Sequence, residues 1–210
     1  MGLVSLLFSD PSAFFVLAIV LLYSVILHEI AHGWVAGLFG DPTAKLSGRL
    51  SLSPVTHIDP IGALALLLVG FGWARPVPVN FYGLRPQRLG LVCVALAGCV
   101  TNILLAALAI MLYKLTALAN NSTTSDVLFV MARINITLGA FNLIPIPPLD
   151  GSKILMGLLP GRAQEVMHRF EPYGFFVLIA LLYTGVLNPV IIFIQQALLG
   201  IITAAVTMGR

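Results

Sequence analysis

The stretch His28-Glu29-Ile30-Ala31-His32 has the residue types and the spacing to bind a metal ion and to catalyse hydrolysis. On a helix, His28 and His32 are four residues apart and project from the same face. Two imidazoles one turn apart can share a zinc ion, and Glu29 between them can act as general base on a metal-bound water. A polar patch at a helix end is the alternative interpretation. The motif lies within a long apolar run, however, where ionisable side chains are costly and generally functional.

The composition predicts that this motif lies in a membrane. Of the 210 residues, 59% are hydrophobic and only 9% are charged, whereas a soluble domain is about 25% charged. We therefore expect a multi-pass integral membrane protein, with the lipid bilayer as a partner. The net charge of +3 forms no basic stripe and so excludes nucleic-acid binding. We expect residues 1–210 to form a single membrane-embedded domain without a cleaved signal peptide.

The apolar runs predict an all-α polytopic fold with about five transmembrane helices. A run of about 20 apolar residues is long enough to cross the hydrocarbon core. The first span begins at Pro11, with Asp10 as its N-cap, and ends near Leu38. The later runs are residues 89–113, residues 127–144, and a final hairpin over 174–207 that is broken at Asn188-Pro189.

Shorter elements are expected between the first two full spans. Residues 44–53 alternate between apolar and polar, and a second alternating run covers Pro76 to Phe81. Alternation with period two is typical of strands, so these runs predict a small β-hairpin or sheet. Residues 61–73 between them are apolar but too few to span a bilayer. They predict a re-entrant or interfacial segment.

Catalytic zinc usually has three protein ligands, so the two histidines need a partner. Soluble proteases with this motif supply a histidine six residues later or a glutamate about twenty residues later, but neither stands at those positions here. His57, Asp59 and His168 lie in loop or polar stretches and are less favoured. Asp150 follows the proline-broken end of an apolar span, where an unpaired carboxylate would be costly. It is therefore the preferred third ligand, and capping of a helix is its alternative role.

Two motifs together resemble the site-2 proteases, which are intramembrane zinc metalloproteases. They are HEIAHGW at residues 28–34 and NLIPIPPLDG at residues 142–151. The resemblance covers roughly residues 20 to 160 and is to the compact prokaryotic branch, without PDZ or CBS modules. It implies one zinc ion per chain, bound by His28, His32 and Asp150, with Glu29 as the base.

The same resemblance points to two asparagines. Gly98 and Asn102 match the GxxxN element of the family's central span, although Cys99 stands where a proline is frequent, and Asn142 matches an asparagine of the downstream motif. From the sequence alone, both amides are explained by hydrogen bonds between helices. In a protease they are also candidates for binding substrate or a developing oxyanion.

The functional hypothesis is an intramembrane zinc metalloendopeptidase of a prokaryotic cell membrane that hydrolyses transmembrane protein substrates. Two alternatives are a divalent-metal transporter and a catalytically inactive membrane scaffold. A transporter would carry polar residues along a whole pathway, whereas the ionisable groups here gather at one depth. An inactive scaffold would not need an intact metal motif.

Overall fold

The computed structural model describes residues 3–70, 72–118 and 122–208. Residue 71, in the predicted segment at 61–73, and the ends of the expected domain lie outside them. Within these ranges the chain is helical and confirms the all-α prediction. The helices are α1 (Leu3–Ser9), α2 (Pro11–Leu38), α3 (Thr43–Leu46), α4 (Pro54–His57), α5 (Pro60–Val69), α6 (Gln87–Leu118), α7 (Ser122–Asn142), α8 (Asp150–Leu158), α9 (Gly161–Tyr183) and α10 (Asn188–Met208).

Among the described residues, four helices are long and apolar enough to cross a membrane. They are α2, α6, α7 and α10, and they support the prediction of a polytopic membrane protein. The prediction of five spans is wrong. Helix α9 contains charged residues throughout its first half, including Glu165, Arg169 and Glu171, so its apolar second half is shorter than a span requires.

Helices α2, α6 and α7 pack against one another and form the centre of the bundle. Small residues such as Ala106, Ala109 and Ala140 are fully buried there, which allows close approach of helices in a bilayer. Large apolar side chains such as Leu104 and Phe193 are exposed on the outer faces. Small residues inside and large apolar residues outside are expected of a protein that is surrounded by lipid.

The predicted β-hairpin is wrong for the described residues. Residues 43–46 and 54–57 are short helices, and the one β-bridge found there joins Ile58 to Ala74. Between the two short helices, Gly48 adopts a positive φ of 65°, which ends any regular strand. The alternating apolar residues do not share a buried face either, since Leu46 is 81% exposed while Ala44 is fully buried.

Helix α5 accounts for the short apolar segment. Asp59 caps it by accepting a hydrogen bond from the Gly62 amide at 2.8 Å, and Gly70 ends it with a φ of 78°. Its 10 residues are about 15 Å long, half of the hydrocarbon thickness. A cavity of about 530 Å³ lies between α2, α5 and α7.

Residues 74–80 form an extended segment that is fixed at its start by two hydrogen bonds. The Arg75 amide donates to the His57 carbonyl at 2.8 Å. The Arg49 guanidinium donates to the Arg75 carbonyl at 2.7 Å. We call this stretch the 74–80 segment. Its path matters because it crosses the predicted metal motif.

Asp41 fixes the other end of the 74–80 segment. Its Oδ2 accepts a hydrogen bond from the Asn80 amide at 2.7 Å, and its Oδ1 accepts from the amide and hydroxyl of Thr43. Burial opposes ionisation of this carboxyl, but the hydrogen bonds from Thr43 and Asn80 outweigh it and hold the pKa of Asp41 below its usual value. Asp41 therefore ties the end of α2 to the 74–80 segment.

Asp41→Asn should destabilise the protein at neutral pH by about 1–3 kcal/mol, because a carboxamide has a single acceptor oxygen and one of the two backbone N–H groups that bond to the buried carboxylate loses its partner. The lowered pKa gives this stabilisation a defined pH dependence. It is complete above the ordinary carboxyl pKa of 3.8 and is lost as the pH falls through the lower folded-state value. Thermal unfolding in detergent at several pH values measures both effects. Asp126→Asn, at an exposed carboxylate, is the control, and equal stability of Asp41→Asn and wild type at pH 7 would contradict the assignment.

Candidate metal centre

Three potential ligand atoms converge between α2 and the start of α8. The His28 and His32 Nε2 atoms are 3.0 Å apart, and each lies within 3.2 Å of Asp150 Oδ2. All three residues are buried. Within the described ranges, they are the one group of three metal-binding side chains close enough to share an ion.

The proline-rich turn after α7 positions Asp150. Ile144 and Leu149 are buried in an apolar cluster with Leu178 and Leu187, which anchors the turn at both ends. The start of α8 lies so close to this turn that a side chain on Gly151 would overlap the Leu143 and Ile144 carbonyls. Irregular backbone near a membrane is tolerated where protein buries it. Here the buried turn directs the Asp150 carboxylate toward the two histidines.

The hydrogen bond of His32 defines which of its ring nitrogens is free. His32 Nδ1 donates to the Val94 carbonyl of α6 at 2.7 Å, so Nε2 of the neutral ring carries a lone pair. That lone pair lies 3.2 Å from Asp150 Oδ2, a buried atom without a hydrogen-bond partner among the described residues. Two acceptors at this distance are held together by a positive charge between them, either a proton on Nε2 or a bound metal ion.

The donor set fits zinc. Ligand atoms on tetrahedral zinc are about 3.3 Å apart when each bond is about 2.0–2.1 Å long, close to the 3.0–3.2 Å separations of the three atoms here. Two imidazoles and a carboxylate are also typical zinc ligands.

Helix α6 provides the space that His28 occupies. A Cβ built on Gly98 would lie 2.6 Å from His28 Nδ1 and would overlap the rest of the ring. Asn102, one turn further along α6, is fully buried, and its amide nitrogen lies 3.1 Å from the same Nδ1. Gly98 and Asn102 thus both contact the His28 imidazole, and Asn102 does so at the ring nitrogen that does not face Asp150.

Glu29 lies beside the three converging atoms and is held by the 74–80 segment. Its Oε2 accepts a hydrogen bond from the Val77 amide at 2.8 Å. Glu29, Val77 and Asn142 line a cavity of about 160 Å³ together with the two histidines and Asp150. The Asn142 amide also donates to the Leu138 carbonyl at 3.1 Å. A carboxylate and an amide therefore border the same cavity as the three converging atoms.

The less favoured ligands have other partners. His57 Nε2 donates to the Ser51 carbonyl, Asp59 caps α5, and His168 Nδ1 lies 3.2 Å from Glu171 Oε2. The Val77 amide and the Val94 carbonyl could not be found from the sequence, because backbone groups have no side-chain signature. The sequence did carry one indication of the Val77 amide. Pro76 and Pro78 have no N–H group, so Val77 is the one backbone donor among residues 76–78.

Gly98→Ala should weaken metal binding, because the added methyl group displaces the His28 ring. Gly37→Ala on α2 is the matched control, since a Cβ there meets nothing within 4 Å. Titration of the purified variants with zinc against a chelating indicator measures the affinity. Equal zinc affinities for the two variants would contradict the proposed contact.

Comparison with known proteins identifies the family. The model of peptidase family M50 matches residues 109–185. YwhC of Bacillus subtilis, which is named as a zinc metalloprotease, is 43% identical over 175 residues, covering 80% of each chain. Rip2 of Mycolicibacterium smegmatis, also named as a zinc metalloprotease, is 29% identical over 175 residues, covering 80% of this chain and 66% of its own. No solved structure matches the chain.

The match to YwhC extends over most of both proteins, and the model match includes Asp150. Both agree with the resemblance inferred from the two sequence motifs. The chain belongs to peptidase family M50, the site-2 proteases.

Proposed function

We propose that this protein is an intramembrane zinc metalloendopeptidase whose residues 1–210 act as one protease domain. The observation that carries the proposal is the placement of Glu29 in one small cavity with the three converging atoms of His28, His32 and Asp150. A general base beside a metal is what peptide hydrolysis needs. Membership of a family of peptidases supports the same activity.

His28, His32 and Asp150 would hold one zinc ion per chain. Bound there, zinc supplies Lewis-acid chemistry that polarises a peptide carbonyl and makes water acidic near neutral pH. Their burial excludes bulk solvent, which strengthens electrostatic interactions within the site. The three ligands leave a side of the site open toward the cavity that Glu29 and Asn142 border.

Glu29 would move the proton. With Oε2 fixed by the Val77 amide, Oε1 is free to accept a proton from the attacking water and to pass it to the leaving amine. Asn142 is positioned at the same cavity and can donate to the developing oxyanion as a neutral group. For Asn102 we propose a different role, since its amide contacts the far nitrogen of His28.

The proposed substrates are transmembrane proteins of a prokaryotic cell membrane. The relatives described above are bacterial, and the described part of the chain has four helices suited to a bilayer. Helices α2 and α7 line both the cavity between α2, α5 and α7 and the cavity at the metal centre. A helical substrate must unwind locally before cleavage, since its peptide carbonyls are otherwise hydrogen-bonded within the helix.

Glu29→Gln tests the proposed chemistry. The variant keeps an acceptor for the Val77 amide but cannot take up a proton, so it should bind zinc like the wild type and cleave at least about 100-fold more slowly. Cleavage of a transmembrane substrate reconstituted in liposomes, with zinc content measured in parallel, provides both readouts. Glu165→Gln, at an exposed glutamate, is the control. Normal cleavage by Glu29→Gln, or zinc transport without cleavage by the wild type, would refute the mechanism.

Val77→Pro tests how Glu29 is held. It removes the N–H that bonds to Oε2, whereas Val77→Ala retains that N–H and changes only the side chain. We expect Val77→Pro to cleave about 10–100-fold more slowly than Val77→Ala, by analogy with the loss of groups that orient a metal site. Zinc affinity should be the same in both. Equal cleavage rates would show that the Val77 amide is dispensable.

A further inference from the structure

We propose that Asn102 is a positioning residue that accepts a hydrogen bond from His28 Nδ1 and thereby fixes Nε2 as the metal-binding nitrogen. The inference rests on the proposed function, because it concerns how one ligand is prepared for zinc. It goes beyond that function by giving Asn102 the role of acceptor rather than of a donor to substrate.

Asn102 lies in an enclosed contact with His28. The side chain is 0% exposed, and its Nδ2 is 3.1 Å from His28 Nδ1. Its Oδ1 is buried and has no hydrogen-bond partner among the described residues. Because the two ends of a carboxamide have the same shape, the group can turn and present either atom to the ring. Turning it would bring the unpaired oxygen to Nδ1.

Metal binding decides which end must face the ring. When Nε2 of His28 gives its lone pair to zinc, the hydrogen of the neutral imidazole is on Nδ1. An amide N–H facing that hydrogen at 3.1 Å would place two donors against each other. The oxygen removes this conflict and at the same time gains a partner, since a buried polar atom left unpaired costs about 1–3 kcal/mol.

The other histidine of the motif, His32, already has an acceptor on α6 for its Nδ1–H group. His32 Nδ1 donates to the Val94 carbonyl at 2.7 Å. Val94, Gly98 and Asn102 are spaced four residues apart along α6, so they lie on one face of that helix. This face would therefore supply one acceptor to each histidine, with Gly98 leaving room for the His28 ring between them.

The turned amide also has an acceptor for its own hydrogens. Asn135 and Asn142 in α7 each donate Nδ2–H to the carbonyl four residues earlier, at 2.9 and 3.1 Å. The corresponding carbonyl for Asn102 belongs to Gly98 on the same helix. In the orientation required by the metal, the Nδ2–H group of Asn102 no longer faces His28 and can bond to a carbonyl of its own helix, as the two other asparagines do.

A comparison of two leucine variants tests the proposal. Asn102→Leu removes the acceptor with little change in volume and should weaken zinc binding about 10–100-fold. Asn135→Leu is the matched control, because Asn135 is equally buried and also has an unpaired oxygen, but bonds to Ser24 and Met131. Zinc affinity of the detergent-purified proteins is measured by competition with a chelating indicator. Asn135→Leu should bind zinc as tightly as the wild type.

Asn102→Asp distinguishes an acceptor from a donor. A carboxylate can accept from Nδ1–H but has no N–H to donate, so the proposal expects zinc affinity and the visible spectrum of the cobalt-loaded protein to match the wild type. Unchanged zinc affinity in Asn102→Leu, equal losses in the two leucine variants, or a loss in Asn102→Asp as large as in Asn102→Leu would each overturn it. A wild-type protein that binds no zinc would instead refute the proposed function itself.

Discussion

The structure depends on holding a carboxylate oxygen and two imidazole nitrogens within 3.2 Å of one another in a helical bundle. In low dielectric such a group is unfavourable unless a cation neutralises it and every remaining polar atom is paired. Three separate elements meet this demand. Helix α2 supplies the histidines, α8 supplies the carboxylate, and α6 supplies the surface that supports both rings. These three helices are thus held together by the contacts of this polar cluster as well as by apolar packing.

Around this cluster, backbone groups make the hydrogen bonds that water could make at an exposed site. The Val94 carbonyl orients His32 and the Val77 amide orients Glu29. The segment that carries Val77 is held in turn by His57 at its start and by Asp41 at its end. Residues far apart in the chain therefore contribute to one small site, and several polar side chains that do not touch the metal centre still determine its shape.

The sequence was most informative where chemistry restricts residue type. Metal-ligating side chains have few substitutes, so His28, His32 and Asp150 could be proposed from identity and spacing, and the apolar runs identified the long helices because the bilayer fixes their length. The sequence was misleading where the same residue pattern occurs in more than one kind of structure. The alternation at 44–53 arises in one short helix and the turns after it, where Leu46 and Leu52 are exposed. The apolar half of α9, which follows its charged residues, is too short for a fifth span.

The hydrogen bond to Glu29 comes from the main chain of residue 77 and not from its side chain. The lining of the cavity and the orientation of Glu29 are therefore separate properties of this residue. Val77 forms part of the wall of the cavity at the metal centre, while its amide restrains the Glu29 carboxylate. Any residue except proline at this position provides the same N–H. A substitution of residue 77 other than by proline would therefore change the wall of the cavity while Glu29 keeps its hydrogen bond, so the shape of the site and the orientation of this carboxylate can change independently.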